Sequence, residues 1–404
     1  MYDYDAIVVG ARCAGSPTAM LLARKGYRVL LVDKARFPSD TMSGHLIHTS
    51  GVVRLWRWGL LERLQATGCP AVSTVLLDAG PVVLEGDPVP LEGVSTCYAP
   101  RRTVLDKLLV DAAVEAGAEL REAFTVQEVI EVDGRVAGIR GHAAGGATVT
   151  ERARIVIGAD GRRSLVARAV QAPTYNTCPP LTCAYYSYWS GVDIDKLEVY
   201  TRLGCVVLSF PTMDGLALAY AAWPATEFKA VRTDIAGHFE RVLARAPSLA
   251  QRINDGTREE RFAGTVDLPN FFRKPFGHGW ALVGDAGYHK DPYLAQGIAD
   301  AFRDAELLAE AVDAGFSGRA GLDTALAGYE AQRNAAAMPG YEHNCRVASL
   351  MPPAPEMQQF MEALSRSQME TDRYFGAIFG TLPYAEVFSP ENMRRVVGAA
   401  MAAA

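Results

Sequence analysis

Residues 4–15 read YDAIVVGARCAG, and this stretch decides the fold. Tyr4 to Val9 is a short, mostly apolar run that enters a turn of small residues: Gly10, Ala11, Arg12, Cys13, Ala14 and Gly15. Ala19, Met20, Leu22 and Ala23 then recur at helical spacing, Pro17 falls where a first helical turn tolerates it, and Gly26 supplies the stop. Arg28 to Val32 is a second strand closing on Asp33, with Lys34 after it. The unit is strand, glycine turn, helix, strand. It has dinucleotide logic: glycines let the backbone approach a pyrophosphate, a helix N-terminus offers free N–H groups, and an acid about 20 residues on accepts ribose hydroxyls. Arg12 stands where the GxGxxG pattern has its middle glycine. Its guanidinium either points at a phosphate or faces solvent.

The rest of the chain is consistent with an enzyme-sized α/β protein. It has 404 residues, 40 Lys+Arg against 46 Asp+Glu, and a net charge of −6, with ordinary apolar and charged fractions. No basic excess points to nucleic acid. The longest apolar runs fall well short of the ~20 residues that span a bilayer, so integral membrane association is not expected. Asp3 and Asp5 stand where a secretory signal carries Lys or Arg, which predicts a cytoplasmic protein. Seven irregularly spaced cysteines fit reduced thiols, and Cys178 and Cys183 lack the partners of a zinc site, so no metal is expected.

Two further segments repeat the theme of strand into glycine turn. Arg154 to Ile157 runs into Gly158, Ala159, Asp160 and Gly161, and Gly279 to Val283 runs into Gly284, Asp285 and Ala286. The second is followed by Pro292, Gln296 and Gly297 and a long amphipathic helix from about Ile298 to Val312. An N-terminal GxGxxG-like turn, a mid-chain DG and a late GD, in that order, resemble the flavoprotein monooxygenase superfamily of para-hydroxybenzoate hydroxylase type. That superfamily also contains geranylgeranyl reductases and flavin halogenases. The likeness covers residues 1 to about 335. It implies an α/β fold: a Rossmann-like FAD-binding domain in three pieces (1–71, 98–178, 271–335) and an inserted antiparallel β-sheet domain for substrate (72–97, 179–270); the remaining stretch, 336–404, is Met-rich and reads as a helical C-terminal segment. The stretches 72–94 and 181–266 read as strands, with Asp214-Gly215 as a hairpin turn.

Carried onto this sequence, the resemblance implies a cofactor site. Gly10, Arg12, Cys13, Ala14 and Gly15 would meet the FAD pyrophosphate, Asp33 and Lys34 the adenosine end, and Arg102, Asp160, Gly161, Gly284 and Asp285 the rest of the chain. Pro292, Gln296, Gly297 and Ile298 would bring backbone N–H groups to the flavin ring, where reduced flavin is negatively charged. Ala295 replaces the first of two glycines often found in that loop. The inserted sheet would cover the ring, with Tyr186, Tyr188 and Phe210 against the substrate. His45 and His48 follow the second strand, and His289 lies four residues past Asp285; these are the candidate catalytic bases, because imidazole titrates near neutrality.

The implied reaction uses NADPH (or NADH) as a transient co-substrate, or a separate flavin reductase. O2 then reacts with reduced flavin, and the C4a-hydroperoxide hydroxylates a small aromatic or phenolic substrate. A reductase of a prenyl C=C bond shares the fold and is the main alternative; a flavin-binding escort protein without turnover is a third. The WxWxIP motif of the flavin halogenases is absent from the sequence.

Overall fold

The computed structural model describes residues 2–402. One sheet carries all three glycine turns. Its strands run in the spatial order Phe276–Gly277, Trp280–Leu282, Thr148–Gly158, Tyr4–Val9, Val29–Val32, Glu119–Arg121. Every neighbouring pair in that row is parallel except the first. Val9 is level with Gly158, and Gly158 with Leu282, so the three turns leave from one edge. That edge is the carboxyl end of a parallel sheet, where open α/β sheets bind their ligands. The strands are apolar on both faces because both are covered. One face packs on helices Gly15–Arg24, Arg102–Glu115 and Gly297–Phe316. The other lies against the Phe124–Val132 and Arg135–Ala143 hairpin and the short helix Leu165–Ala169.

A second sheet contains Thr182–Ser190, Ala217–Pro224, Cys205–Pro211, Leu197–Arg202, Val75–Asp78 and Val83–Gly86, in that order. It is antiparallel except where Leu197–Arg202 runs parallel to Val75–Asp78. The hairpin turn at Asp214-Gly215 is present, with Asp214 at φ 61°. The reading of 181–266 as strands throughout needs correction: Phe228–Thr233, Ile235–Leu243 and Pro247–Asp255 are helices. Their apolar residues, among them Val231, Phe239, Val242 and Leu249, repeat at helical rather than strand spacing and cover the outer face of the sheet.

The inner face is covered by the C-terminal segment. Helix Leu322–Val347 runs unbroken past residue 335 and is followed by Pro355–Leu364, Gln368–Ile378, Tyr384–Phe388 and Pro390–Ala402. Phe360, Leu364, Tyr374, Phe375, Phe379 and Val387 bury against Tyr186, Tyr188, Leu208, Phe210 and Tyr220. Strand alternation sorts the aromatics of Thr182–Ser190 accordingly: Tyr186 and Tyr188 face inward, Tyr185 and Trp189 outward. No helix among the described residues is long and apolar enough to cross a membrane.

Candidate flavin site

The three turns meet. A Cβ on Gly15 would fall 1.7 Å from the Gly10 carbonyl oxygen, and one on Gly10, at φ +103°, would fall 2.5 Å from the Ala159 oxygen. At Gly284, φ +60°, a Cβ would lie 2.7 Å from Ala14 Cβ. Only glycine permits these approaches. Asp33 ties the second strand to the first turn, its Oδ2 accepting from Ala11 N at 2.7 Å and its Oδ1 from Ala35 N at 2.8 Å. Lys34 is exposed beside it.

Beneath the first turn lies a buried charge cluster. Asp106 is fully buried and accepts from Arg102 Nε at 3.0 Å and Nη2 at 2.9 Å, from Arg12 Nη1, and from the Cys13 thiol at 3.4 Å. Arg12 folds onto Asp106 and Ser39, with Nη2 to Ser39 Oγ at 2.8 Å. Burial pushes the Cys13 thiol up to about 12, so it stays protonated. Two guanidinium groups against one carboxylate leave a net positive charge under the N-terminus of helix Gly15–Arg24, which has no side-chain cap. This arrangement suits a pyrophosphate. Asp285 is exposed beside the junction, and Arg102 feels its charge. Asp160 instead turns inward, its Oδ2 accepting from Leu165 N at 2.6 Å at the start of a helix that Ser164 also caps. Gly161, at φ +77°, has open space around it.

The helix Gly297–Phe316 likewise begins without a side-chain cap, and nothing lies within 4 Å of a Cβ built on its exposed first residue. Ile298 is buried behind it and Pro292 is exposed before it. Ala295 holds the left-handed conformation, φ 52°, that a glycine would hold more easily. Free donors, glycine-only turns and positive charge at one sheet edge fit a flavin dinucleotide.

The candidate histidines separate. His45 Nε2 is 2.9 Å from Tyr188 OH, its ring stacks on Tyr188 and meets Phe210 edge-on at 6.1 Å, and Tyr186 OH accepts from Ser43 N at 3.1 Å. Arg101 lies over the Tyr188 ring at 4.0 Å. Burial pushes the His45 imidazole down to about 3, and Arg101 and Arg102 add to this, so it is neutral. Burial and the neighbouring tyrosine raise the Tyr188 hydroxyl. His48 sits elsewhere, stacked on Phe379 at 4.2 Å and pushed down to about 4 by burial. His289 hands Nδ1 to the Pro269 carbonyl and stacks on Phe271. So His45, Tyr186, Tyr188 and Phe210 come together, while His48 and His289 belong to other clusters.

Sequence reading passed over Ser43, His343, Phe379 and Tyr384. His343 is buried against Phe388 and Tyr384, and burial pushes it down to about 4. None of these four lies in a motif, and only folding the C-terminal segment onto the sheet brings the last three near the site.

Fold and site together define a flavin-dependent oxidoreductase with a parallel-sheet nucleotide edge and a second sheet over it. The chain belongs to the FAD binding domain family, whose model matches residues 3–340. It is 29% identical to digeranylgeranylglycerophospholipid reductase 1 of Methanococcoides burtonii, covering 77% of this chain and 74% of that protein. It is 26% identical to 6-methylpretetramide 4-monooxygenase of Streptomyces rimosus, covering 74% and 73%. Among solved structures, the myxobacterial FAD-dependent chondrochloren halogenase superposes with a TM-score of 0.80 at 20% identity, over 98% of this chain and 96% of that one.

Proposed function

We propose that this flavoenzyme takes electrons from NADPH or NADH, directly or through a separate flavin reductase, and inserts one oxygen atom of O2 into a small aromatic or phenolic substrate. The observation that carries this reading is the closed aromatic wall of Tyr186, Tyr188 and Phe210, with neutral His45 hydrogen-bonded to Tyr188. When bound, FAD supplies the redox chemistry and the activation of oxygen. The protein binds and orients. Asp33 would hold the adenosine ribose, the turn Gly10–Gly15 and Arg102 the pyrophosphate, Asp285 the ribityl side, and the start of Gly297–Phe316 the ring. The wall excludes water, which oxygen transfer requires. Held neutral by burial, the His45 imidazole is a poor base; its Nε2 instead fixes the Tyr188 hydroxyl, which can in turn hydrogen-bond and orient a substrate oxygen. The buried Tyr220 hydroxyl, on the same face and without a partner, offers a polar contact to a substrate.

The likeness to a digeranylgeranyl lipid reductase supports a second reading, saturation of a prenyl C=C bond. A long prenyl chain would need an extended apolar channel along the inner face that the C-terminal helices cover, so the two readings differ in how much of that face a substrate must reach. An oxygen electrode separates the two. Purified protein with FAD and NADPH is expected to take up O2 in step with a phenolic panel, and His45→Asn to depress product while retaining FAD. NADPH oxidation without O2 uptake, accompanied by loss of a C=C bond, would overturn oxygenation in favour of reduction.

A further inference from the structure

We infer that Gln296 and Tyr384 latch the turn after helix Gln368–Ile378 to the loop that opens helix Gly297–Phe316, making residues 376–384 a positioning element for the flavin ring. The inference rests on the ring lying at the start of that helix, as proposed above. Lys290 is almost fully buried and donates to Gln296 Oε1 at 2.6 Å. A lysine can only donate, so this bond sets the amide: its oxygen faces Lys290 and its nitrogen points away. That nitrogen donates to the Ile378 carbonyl at 2.8 Å and to Tyr384 OH at 3.0 Å. Both ends of the Gln296 side chain are thereby engaged by protein, so it acts by holding backbone in place.

Further contacts fasten the same turn. Ser50 N donates to the Phe379 carbonyl at 3.3 Å, and His48 stacks on the Phe379 ring. Gly380, at φ +72°, passes so close that a Cβ would fall 2.7 Å from Ser50 Oγ. From helix Leu322–Val347, Asn344 accepts from Leu294 N at 3.2 Å and donates to the Asp291 carbonyl at 3.0 Å. Lys290 is itself anchored on Asp300 at 2.8 Å; against the effect of burial, Lys290 and Arg303 hold that carboxyl well below the usual range. The loop at 291–297 is thus gripped from the far side by a segment that mostly follows the part of the chain matched by the family model. A ligand that orders the loop must also order the turn, and the coupling is reciprocal.

Amide hydrogen exchange on the full chain, with and without FAD, tests this. In the wild-type protein FAD is expected to slow exchange at both 296–300 and 376–384. Tyr384→Phe should weaken FAD binding about fivefold, the worth of one neutral hydrogen bond, and reduce the protection of 376–384 while leaving that of 10–16 unchanged. Gln296→Leu should abolish the protection of 376–384; if it does not fold, Tyr384→Phe decides alone. Protection of 296–300 without 376–384 in the wild type, or equal protection in the wild type and Tyr384→Phe, overturns the latch. Absence of protection at 296–300 removes the ring from that helix, and the latch with it.

Discussion

The glycine turns and the aromatic wall are built by opposite means. At the turns the determinants are backbone positions that admit no side chain and so show as glycines in short motifs, even where what they approach is distant, beside a buried Asp106 pinned by Arg102 four residues away on the same helix. At the wall they are distant in sequence: His45 meets Tyr188 across 143 residues, and Gln296 meets Tyr384 across 88. Local determinants make a motif; distant ones make a side-chain cluster that leaves no motif. The comparison makes four predictions.

The largest effect belongs to the turns. Gly15→Ala should abolish FAD retention and destabilise the fold by roughly 3 kcal/mol or more, because the new Cβ meets a backbone oxygen that cannot yield. Flavin absorbance after gel filtration and the melting temperature read both. A variant that stays yellow and stable would erase the distinction between the two regions.

Next comes acid sensitivity, which resides at the wall and in the C-terminal segment. His45, His48 and His343 have folded pKa values of about 3, 4 and 4, below the ordinary 6.5, so each stays neutral while its unfolded counterpart charges. Stability is therefore full above pH 6.5 and falls as pH drops toward those values, by roughly 2 kcal/mol per histidine at pH 5. Denaturant midpoints against pH should slope steeply there, and His343→Phe should flatten the slope. An unchanged slope in that variant would show that His343 does not contribute.

Two aspartates sharpen the comparison within the turns. Asp160→Ala removes a carboxylate that accepts at a helix start and should lower stability by about 1 kcal/mol with modest FAD loss. Asp285→Ala, at an exposed position, should leave apoprotein stability unchanged and weaken FAD retention more. Equal retention in the two variants would contradict the role proposed for Asp285.

The smallest effect is at Ala295. Its left-handed φ of 52° costs the fold about 1 kcal/mol relative to glycine, but glycine gains about 0.4–1 kcal/mol of freedom in the unfolded chain, so Ala295→Gly should raise stability by only a few tenths of a kcal/mol. Thermal denaturation of the FAD-loaded protein measures it.

Legibility followed the same division. The strand Tyr4–Val9, its turn and Asp33 were plain in the sequence because backbone geometry demands those residues at those places. The pairing of His45 with Tyr188 and Phe210 was not legible: the resemblance implied His45 beside the flavin and the aromatics against the substrate, but no local pattern links a loop after the second strand to a later sheet. The helices between 228 and 255 were hidden because the flanking strands are strongly apolar and drew them into one reading. The pairing of Arg12 with Asp106, 94 residues on, is visible only in the fold. The grip of Tyr384 on Gln296 has no sequence signal.

The strand Thr182–Ser190 carries aromatics on both faces, so it lacks the usual safeguard against sliding by one residue: either face would still be greasy. Its alignment is instead notched by polar ties, Thr182 Oγ1 to Asp291 at 2.7 Å at one end, Ser187 Oγ to the Glu260 carbonyl at 2.6 Å near the other, and the Tyr188–His45 bond. A single-codon deletion in this strand would shift its alternation and turn Tyr185 and Trp189 toward the inner face. Insertions and deletions here, more than substitutions, are the mutations through which such a scaffold could exchange one chemical lining for another in a single step.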